Sequence, residues 1–248
     1  MLTVRTIGAA ALMVLAAGRG VGVRGDDFGD TWWRLVVTVY DSSSGQVEST
    51  NFTTDPNFPA PSTFQDSHTV AIGDSNAGGN YDFDWASDFG HLLIGASQRA
   101  EQTGVPPLGT VGATSSGQIK FTPTQDLAFS ISVAYHYQLP FADMIASCTA
   151  TLRDDQVSDY SFYFSDNHNA TSEGPGDDTF GDSRTGVLYA GHPYTLQYLM
   201  TSSTSGTAGQ VASGSGSINL TFQPTPEPAT VALLALGLLA GSRKRHYN

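Results

Sequence analysis

Ser75 stands in Gly73-Asp74-Ser75, directly after the apolar run Thr69-Val-Ala-Ile72. A strand that delivers a serine onto a tight turn exposes a nucleophile for acyl transfer. Asp88 and His91 supply an Asp-x-x-His pair a little further along. The histidines His68, His91, His136, His168, His192 and His246 show no His-x-x-x-His spacing, and the single Cys148 has no partner thiol, so zinc is not expected. Cys148 shares strand parity with Ala150 and Leu152 and reads as a buried thiol.

The Gly-Asp-Ser turn resembles the nucleophile block of GDS-type esterases. That family is an α/β sandwich whose Asp-x-x-His block lies far downstream of its serine. Here the block follows at once and no helices flank the strand, so Ser75 is read as a serine in a polar turn. Two acidic segments suit calcium better, because a hard cation takes carboxylate and amide oxygens. One is Asp74-Ser-Asn76-Ala-Gly78-Gly79-Asn80-Tyr-Asp82, which has Trp85 where a calcium loop would place its bidentate Glu. The other, Gly174-Pro-Gly176-Asp177-Asp178-Thr-Phe180, resembles one glycine-rich calcium β-roll nonapeptide, with Asp182 just beyond. Such sites are shared between stacked copies, and only one copy is present. Asp74, Asn76, Asp82, Asp177, Asp178 and Asp182 are thus the candidate ligands of a structural calcium. Tyr81-Asp-Phe-Asp-Trp85 offers aromatic faces beside carboxylates, the chemistry of sugar stacking, though the same residues suit a sandwich core.

The elements that must position these groups are strands. Leu127, Phe129, Ile131, Val133, Tyr135, Tyr137 and Leu139 alternate with smaller or polar residues, a period of two. Leu35-Val37-Val39, Ile119-Phe121, Tyr160-Phe162-Phe164, Tyr194-Leu196-Tyr198 and Ile218-Leu220-Phe222 skip in the same way. Turn-forming clusters separate them at 41–45, 55–61, 73–80, 105–112, 166–182 and 202–216. Phe89–Ala100 reads as either a short helix or a strand. Thr201–Ser217, rich in Ser, Thr and Gly, reads as a flexible hairpin tip or a weak edge strand. The expected fold is all-β, an antiparallel sandwich of jelly-roll or Greek-key type, over residues 26–223.

Charge restricts the partners. Residues 26–228 hold five basic residues against all 23 acidic ones, a formal charge of −18. Such a body repels nucleic acid and anionic lipid. With Glu and Lys scarce, the polar positions fall to Asp, Ser, Thr and Gly, the residues of turns and strands.

The two ends are of another kind. Arg5 and the apolar run Ile7–Ala17 read as an export signal over residues 1–25. Val23 and Gly25 suit the −3 and −1 positions for cleavage before Asp26, and a cut nearer Ala17 is the alternative. At the other end Pro224-Thr-Pro226-Glu227-Pro228-Ala229-Thr230 precedes the apolar Val231–Ala240 and the basic Arg243, Lys244 and Arg245. Prolines hold the motif extended. The apolar run is short for the ~30 Å hydrocarbon core, which suits a tail that is later removed.

Residues 224–248 resemble the PEP-CTERM sorting domain of bacterial proteins, a segment also called an ice-binding protein C-terminal domain. The resemblance rests on Pro226, Glu227, Pro228, Ala229 and Thr230, followed by the hydrophobic helix and the basic end. It implies recognition by an exosortase, a membrane cysteine peptidase, after Sec export and transient membrane insertion through the C-terminal helix. It also implies tethering at the inner membrane before release to the cell surface or beyond. It does not assign an activity to the body. The expected protein is a non-enzymatic surface or extracellular-matrix sandwich, in contact with extracellular polysaccharide. The alternatives are a carbohydrate- or ice-binding module and, behind it, a secreted hydrolase.

Overall fold

The computed structural model describes residues 22–24, 27–53, 63–72, 75–86, 89–102, 109–205 and 208–225. The expected signal helix and the C-terminal hydrophobic helix lie outside these. Among the described residues no helix is long and apolar enough to cross a membrane.

Two antiparallel six-stranded sheets form a sandwich. The first holds, in spatial order, β2 (Gln46–Thr53), β1 (Phe28–Asp41), β6 (Val111–Pro123), β11 (Tyr194–Thr204), β8 (Met144–Asp154) and β9 (Asp159–Asn169). The second holds β10 (Gly176–Leu188), β7 (Leu127–Leu139), β12 (Gln210–Pro224), β5 (His91–Gln102), β4 (Ser75–Trp85) and β3 (Thr63–Ile72). The chain passes repeatedly from one sheet to the other, and the strand order is non-sequential in both, as in Greek-key sandwiches. Among the described residues a single short helix, α1 (Ala170–Glu173), bridges β9 and β10, with Asn169 capping it through Thr171 N.

Alternation decides which face of each strand is buried. All seven apolar members of the Leu127–Leu139 series point inward on β7, at most 5% exposed. Aromatic rings fill one end of the core: Phe28 meets Trp85, Phe121 and Phe222 edge-on at 5.4, 5.7 and 5.1 Å. Cys148 is fully buried, and burial pushes its thiol up to about 12, far from any nucleophilic state at neutral pH.

Of the two readings of Phe89–Ala100 the structure shows the strand, β5, which begins at His91. Other segments differ from expectation. Asn76–Asn80 and Gly176–Asp182 are not turns but parts of β4 and β10. Glycine at these places reflects close approach: a Cβ on Gly79 would lie 2.8 Å from Val37 Cγ1, and one on Gly181 would strike the Val133 carbonyl. The Ser/Thr/Gly-rich stretch 201–217 is neither a hairpin tip nor an edge strand. Its two halves belong to β11 and β12, each hydrogen-bonded on both sides. Gly214 faces the Tyr135 hydroxyl, which donates to Thr201 O at 2.8 Å, so the large ring on β7 fills the room left by the small residues on β12.

The first and last strands meet at one end. Thr124 N donates to Asp27 O at 2.8 Å, and Thr225 N and Oγ1 both donate to Asp126 O, at 3.2 and 2.9 Å. Thr225, so tied down, stands directly before Pro226 in the sequence.

Candidate functional site

The outer face of the first sheet carries an open groove of about 590 Å³. Its floor is an ordered set of ladder rows. In the middle row Arg34 on β1 lies opposite Gln118 on β6, then Gln197 on β11, Thr151 on β8 and Tyr163 on β9. The adjoining row is Trp32, Lys120, Thr195, Arg153 and Tyr160, and its Lys120, Thr195, Arg153 and Tyr160 line a separate small cavity of about 90 Å³ beside the groove, together with Asp155. On the other side run Val36, Ser116, Leu199, Thr149 and Ser165. At about 4.8 Å per strand the groove is some 19 Å wide from β1 to β9.

A β-bulge builds its aromatic wall. Leu152 pairs with Phe162 but Arg153 pairs with Tyr160, so Ser161 is an extra residue on β9. Without it, Tyr160 would share the inward parity of Phe162 and Phe164. With it, Tyr160 turns outward beside Tyr163, and their rings meet edge-on at 5.5 Å. Both remain exposed, by 46% and 57%. The sequence pattern had placed Tyr160 with the inward pair; one inserted residue changes its face.

The polar groups are distributed between fixed and available. Arg34 Nε and Nη2 donate to Asn51 Oδ1 at 3.2 and 2.9 Å, which orients a guanidinium that has five donors in all. Lys120 Nζ lies 5.4 Å from the Trp32 ring centroid. Arg153 Nε donates to Asp155 Oδ1 at 2.8 Å, and Thr195 Oγ1 donates to the other oxygen. Amides, hydroxyls and exposed rings without a nucleophile–base pair suit binding of a polyhydroxylated ligand.

The turn that carries the bulge is held by Asp154. Its carboxylate accepts from Gln156 N at 2.9 Å and from His192 Nδ1 at 2.7 Å. Burial raises the carboxyl's pKa, yet His192 and the Gln156 and Val157 amides outweigh it, and the net effect is a lowered value. A depressed carboxyl stabilises the fold above its ordinary pKa of 3.8, and that stability is lost as pH falls through the lower folded value. Thermal melts from about pH 5 to about pH 2 will therefore show a shallower acid slope for Asp154→Asn than for the native chain. Equal slopes would contradict this role.

The residues singled out by sequence are scattered. Ser75 pairs with Gln102 at one end of β5, whereas His91 begins the other end, about 35 Å away along the strand. Asp88 and Asp74 lie outside the described residues. Asn76 and Asp82 share a face of β4 but stand about 20 Å apart. Asp177 and Asp178 point to opposite faces of β10; Asp177 accepts from Gln138 Nε2 at 3.2 Å, and Asp178 and Asp182 each accept from the next backbone amide. These residues do not converge on one point. Tyr81, Phe83 and Trp85 are at most 2% exposed and face the core, so they form no sugar platform. A second groove of about 510 Å³ on the other sheet is lined by Gln65, Asp66, Asn80, Asp82 and Ser97, with no exposed ring.

The fold is thus an antiparallel β-sandwich with a groove on one outer face. Comparison with protein-family models finds the PEP-CTERM protein-sorting motif at residues 224–245. The chain carries this motif at its C-terminal end, starting at the last residue of β12. The motif implies an exported protein, held at the membrane as a precursor and processed by an exosortase. Pro226–Thr230 and Arg243–Arg245 lie outside the described residues. No curated protein matches the sequence. Among solved structures, a CBM4 domain is similar at 9% identity over 53% of this chain and 71% of its own, with a TM-score of 0.23. The CBM22-1 xylan-binding domain of Paenibacillus barcinonensis Xyn10C is similar at 10% identity over 67% and 99%, with a TM-score of 0.26. Infectious bursal disease virus VP2 is similar at 12% identity over 79% of this chain and 58% of its own, with a TM-score of 0.29.

Proposed function

We propose that this is a non-enzymatic, exosortase-processed surface protein whose sandwich binds extracellular polysaccharide in the groove of the first sheet. The observation that carries the reading is the bulge at Ser161, which places Tyr160 and Tyr163 side by side at the end of a row of amides and hydroxyls. Exposed rings stack on the apolar faces of sugars, while Gln118 and Gln197 supply both donors and acceptors for hydroxyls. An open groove suits a polymer, which can enter and leave without ends. A glycan array probed with the full chain will retain extended polysaccharides selectively, and Gln197→Ala will weaken that retention. An array with no selective signal would overturn the proposal.

The motif's position supports display at a membrane. Pro224 closes β12 and Thr225 is tied to Asp126, and the Pro-Glu-Pro segment follows next in the sequence. Deleting Pro226–Pro228 will leave the tail uncleaved; unchanged maturation would reject exosortase processing. At the other terminus Val23 is 5% exposed and belongs to the core, and Arg24 N donates to Asp27 Oδ2 at 2.6 Å. Cleavage before Asp26 would strip Val23 from the core, so the cut nearer Ala17 is favoured. N-terminal sequencing of the exported protein will begin at or before Gly22; a start at Asp26 would contradict this.

A further inference from the structure

Charge on this molecule is segregated in a way that specifies the ligand more closely. The stretch 26–228 carries five basic residues against 23 acidic ones, yet the fifteen positions of the three groove rows include Arg34, Lys120 and Arg153 and no carboxylate. Three of the body's five cations thus occupy one face of one sheet. Of the six acidic residues in the sheet's strands, Asp41, Glu48, Asp154 and Asp166 fall on the opposite strand parity, while Asp30 and Asp159 are exposed at strand ends beyond the Trp32–Tyr160 row. Asp155 lines the small cavity that Lys120 also lines, and there it pairs with Arg153. Among the described residues Arg34 and Lys120 have no carboxylate partner: Arg34 leans on the Asn51 amide and Lys120 on the Trp32 ring. The second groove is the reverse, with Asp66 and Asp82 in its lining.

Resting on the glycan reading above, we infer that the polysaccharide is anionic, a chain of uronate-type sugars whose carboxylates meet Arg34 and Lys120 while its rings stack on Tyr160 and Tyr163. Arg34 lies directly opposite Gln118, and Lys120 is two residues along the same strand, so cations and amides alternate at the spacing of adjacent ladder rows, about 7 Å. A neutral polymer would leave both cations without a use, and an acidic face would repel a uronate. The surrounding acidic surface confines a polyanion to this one strip and opposes nucleic acid, whose closely spaced phosphates need a broad basic surface.

The test uses polygalacturonate and its carboxyl-reduced, neutral counterpart, titrated onto the full chain at about 20 and about 300 mM NaCl. Polygalacturonate will bind at least tenfold more tightly than the neutral polymer, and the difference will shrink at the higher salt because the groove is solvent-exposed. Arg34→Gln combined with Lys120→Gln will remove the preference, and Arg99→Gln on the other sheet will leave it intact. Equal, salt-independent binding of both polymers, still lost in Tyr160→Ala/Tyr163→Ala, would overturn the anionic assignment and leave the glycan reading standing. Binding of neither polymer, or of single-stranded DNA as tightly as polygalacturonate, would overturn both.

Discussion

Tyr160→Ala combined with Tyr163→Ala will abolish measurable polysaccharide binding while leaving the melting temperature within a few degrees of the native value. Aromatic side chains that anchor a ligand commonly contribute about 1–2 kcal/mol each, so losing two corresponds to about 2–4 kcal/mol, or roughly 30- to 700-fold in affinity. The small stability effect follows from exposure. With 46% and 57% of their surface in water, the two rings contribute little core burial, and their edge-on contact adds only about 0.5–1.5 kcal/mol. Tyr160→Phe with Tyr163→Phe keeps both ring faces and will retain most of the binding. If the alanine pair binds as well as the native chain, the groove is not where sugars stack.

Gly214→Val will have the largest effect on stability. The Cβ alone would collide with the Tyr135 hydroxyl and come within 2.9 Å of Ser202 Oγ. Tyr135 cannot withdraw, because it is fully buried and its hydroxyl donates to Thr201 O. Overpacking at such a site costs roughly 3 kcal/mol, which in a domain of this size lowers the melting temperature by roughly 6–12 °C. Because the obstruction is one named oxygen, Gly214→Ala will cost less in a Tyr135→Phe background than in the native one, a coupling that a double-mutant cycle reads directly. Additive costs would mean that the strand tolerates side chains there for another reason.

These two sites also show what a linear sequence does and does not disclose. The sandwich was legible in β7, where seven apolar residues alternate without interruption and all face inward. The sorting tail was legible because its order of prolines, apolar run and basic end is contiguous. Gly214 and Gly181 were not legible as strand residues. Glycine signals a turn when read locally, and the reason for it here is a side chain or carbonyl on a strand far away in sequence. Acidic residues were placed wrongly in the same way: Asp177, Asp178 and Asp182 look like residues of a loop, but they lie on β10, an edge strand, where charge discourages further pairing.

The groove lay deepest from view. Its middle row joins residues 34, 118, 197, 151 and 163, an order set by strands that are adjacent in space and distant in the chain. Each residue alone is an ordinary exposed polar or aromatic position. Two signals were present in the sequence: the scarcity of basic residues, which makes the placement of each informative, and the spacing of Tyr160 and Tyr163, which breaks the period of two and requires a bulge to share a face. The conspicuous Trp85, by contrast, followed ordinary alternation with Tyr81 and Phe83 into the core, where a large ring contributes most to stability.

The claim on which the rest depends is that ligand occupies the outer face of the first sheet. Cys148 is fully buried with a thiol raised to about 12, so a cysteine placed on the surface of the folded chain can be labelled selectively with a bulky maleimide. Leu199 is 44% exposed at the centre of the groove, and Arg99 lies on the outer face of the other sheet. Labelled Leu199→Cys will fail to bind polygalacturonate, and labelled Arg99→Cys will bind it as the native chain does. Undiminished binding by the labelled Leu199→Cys protein would contradict the account.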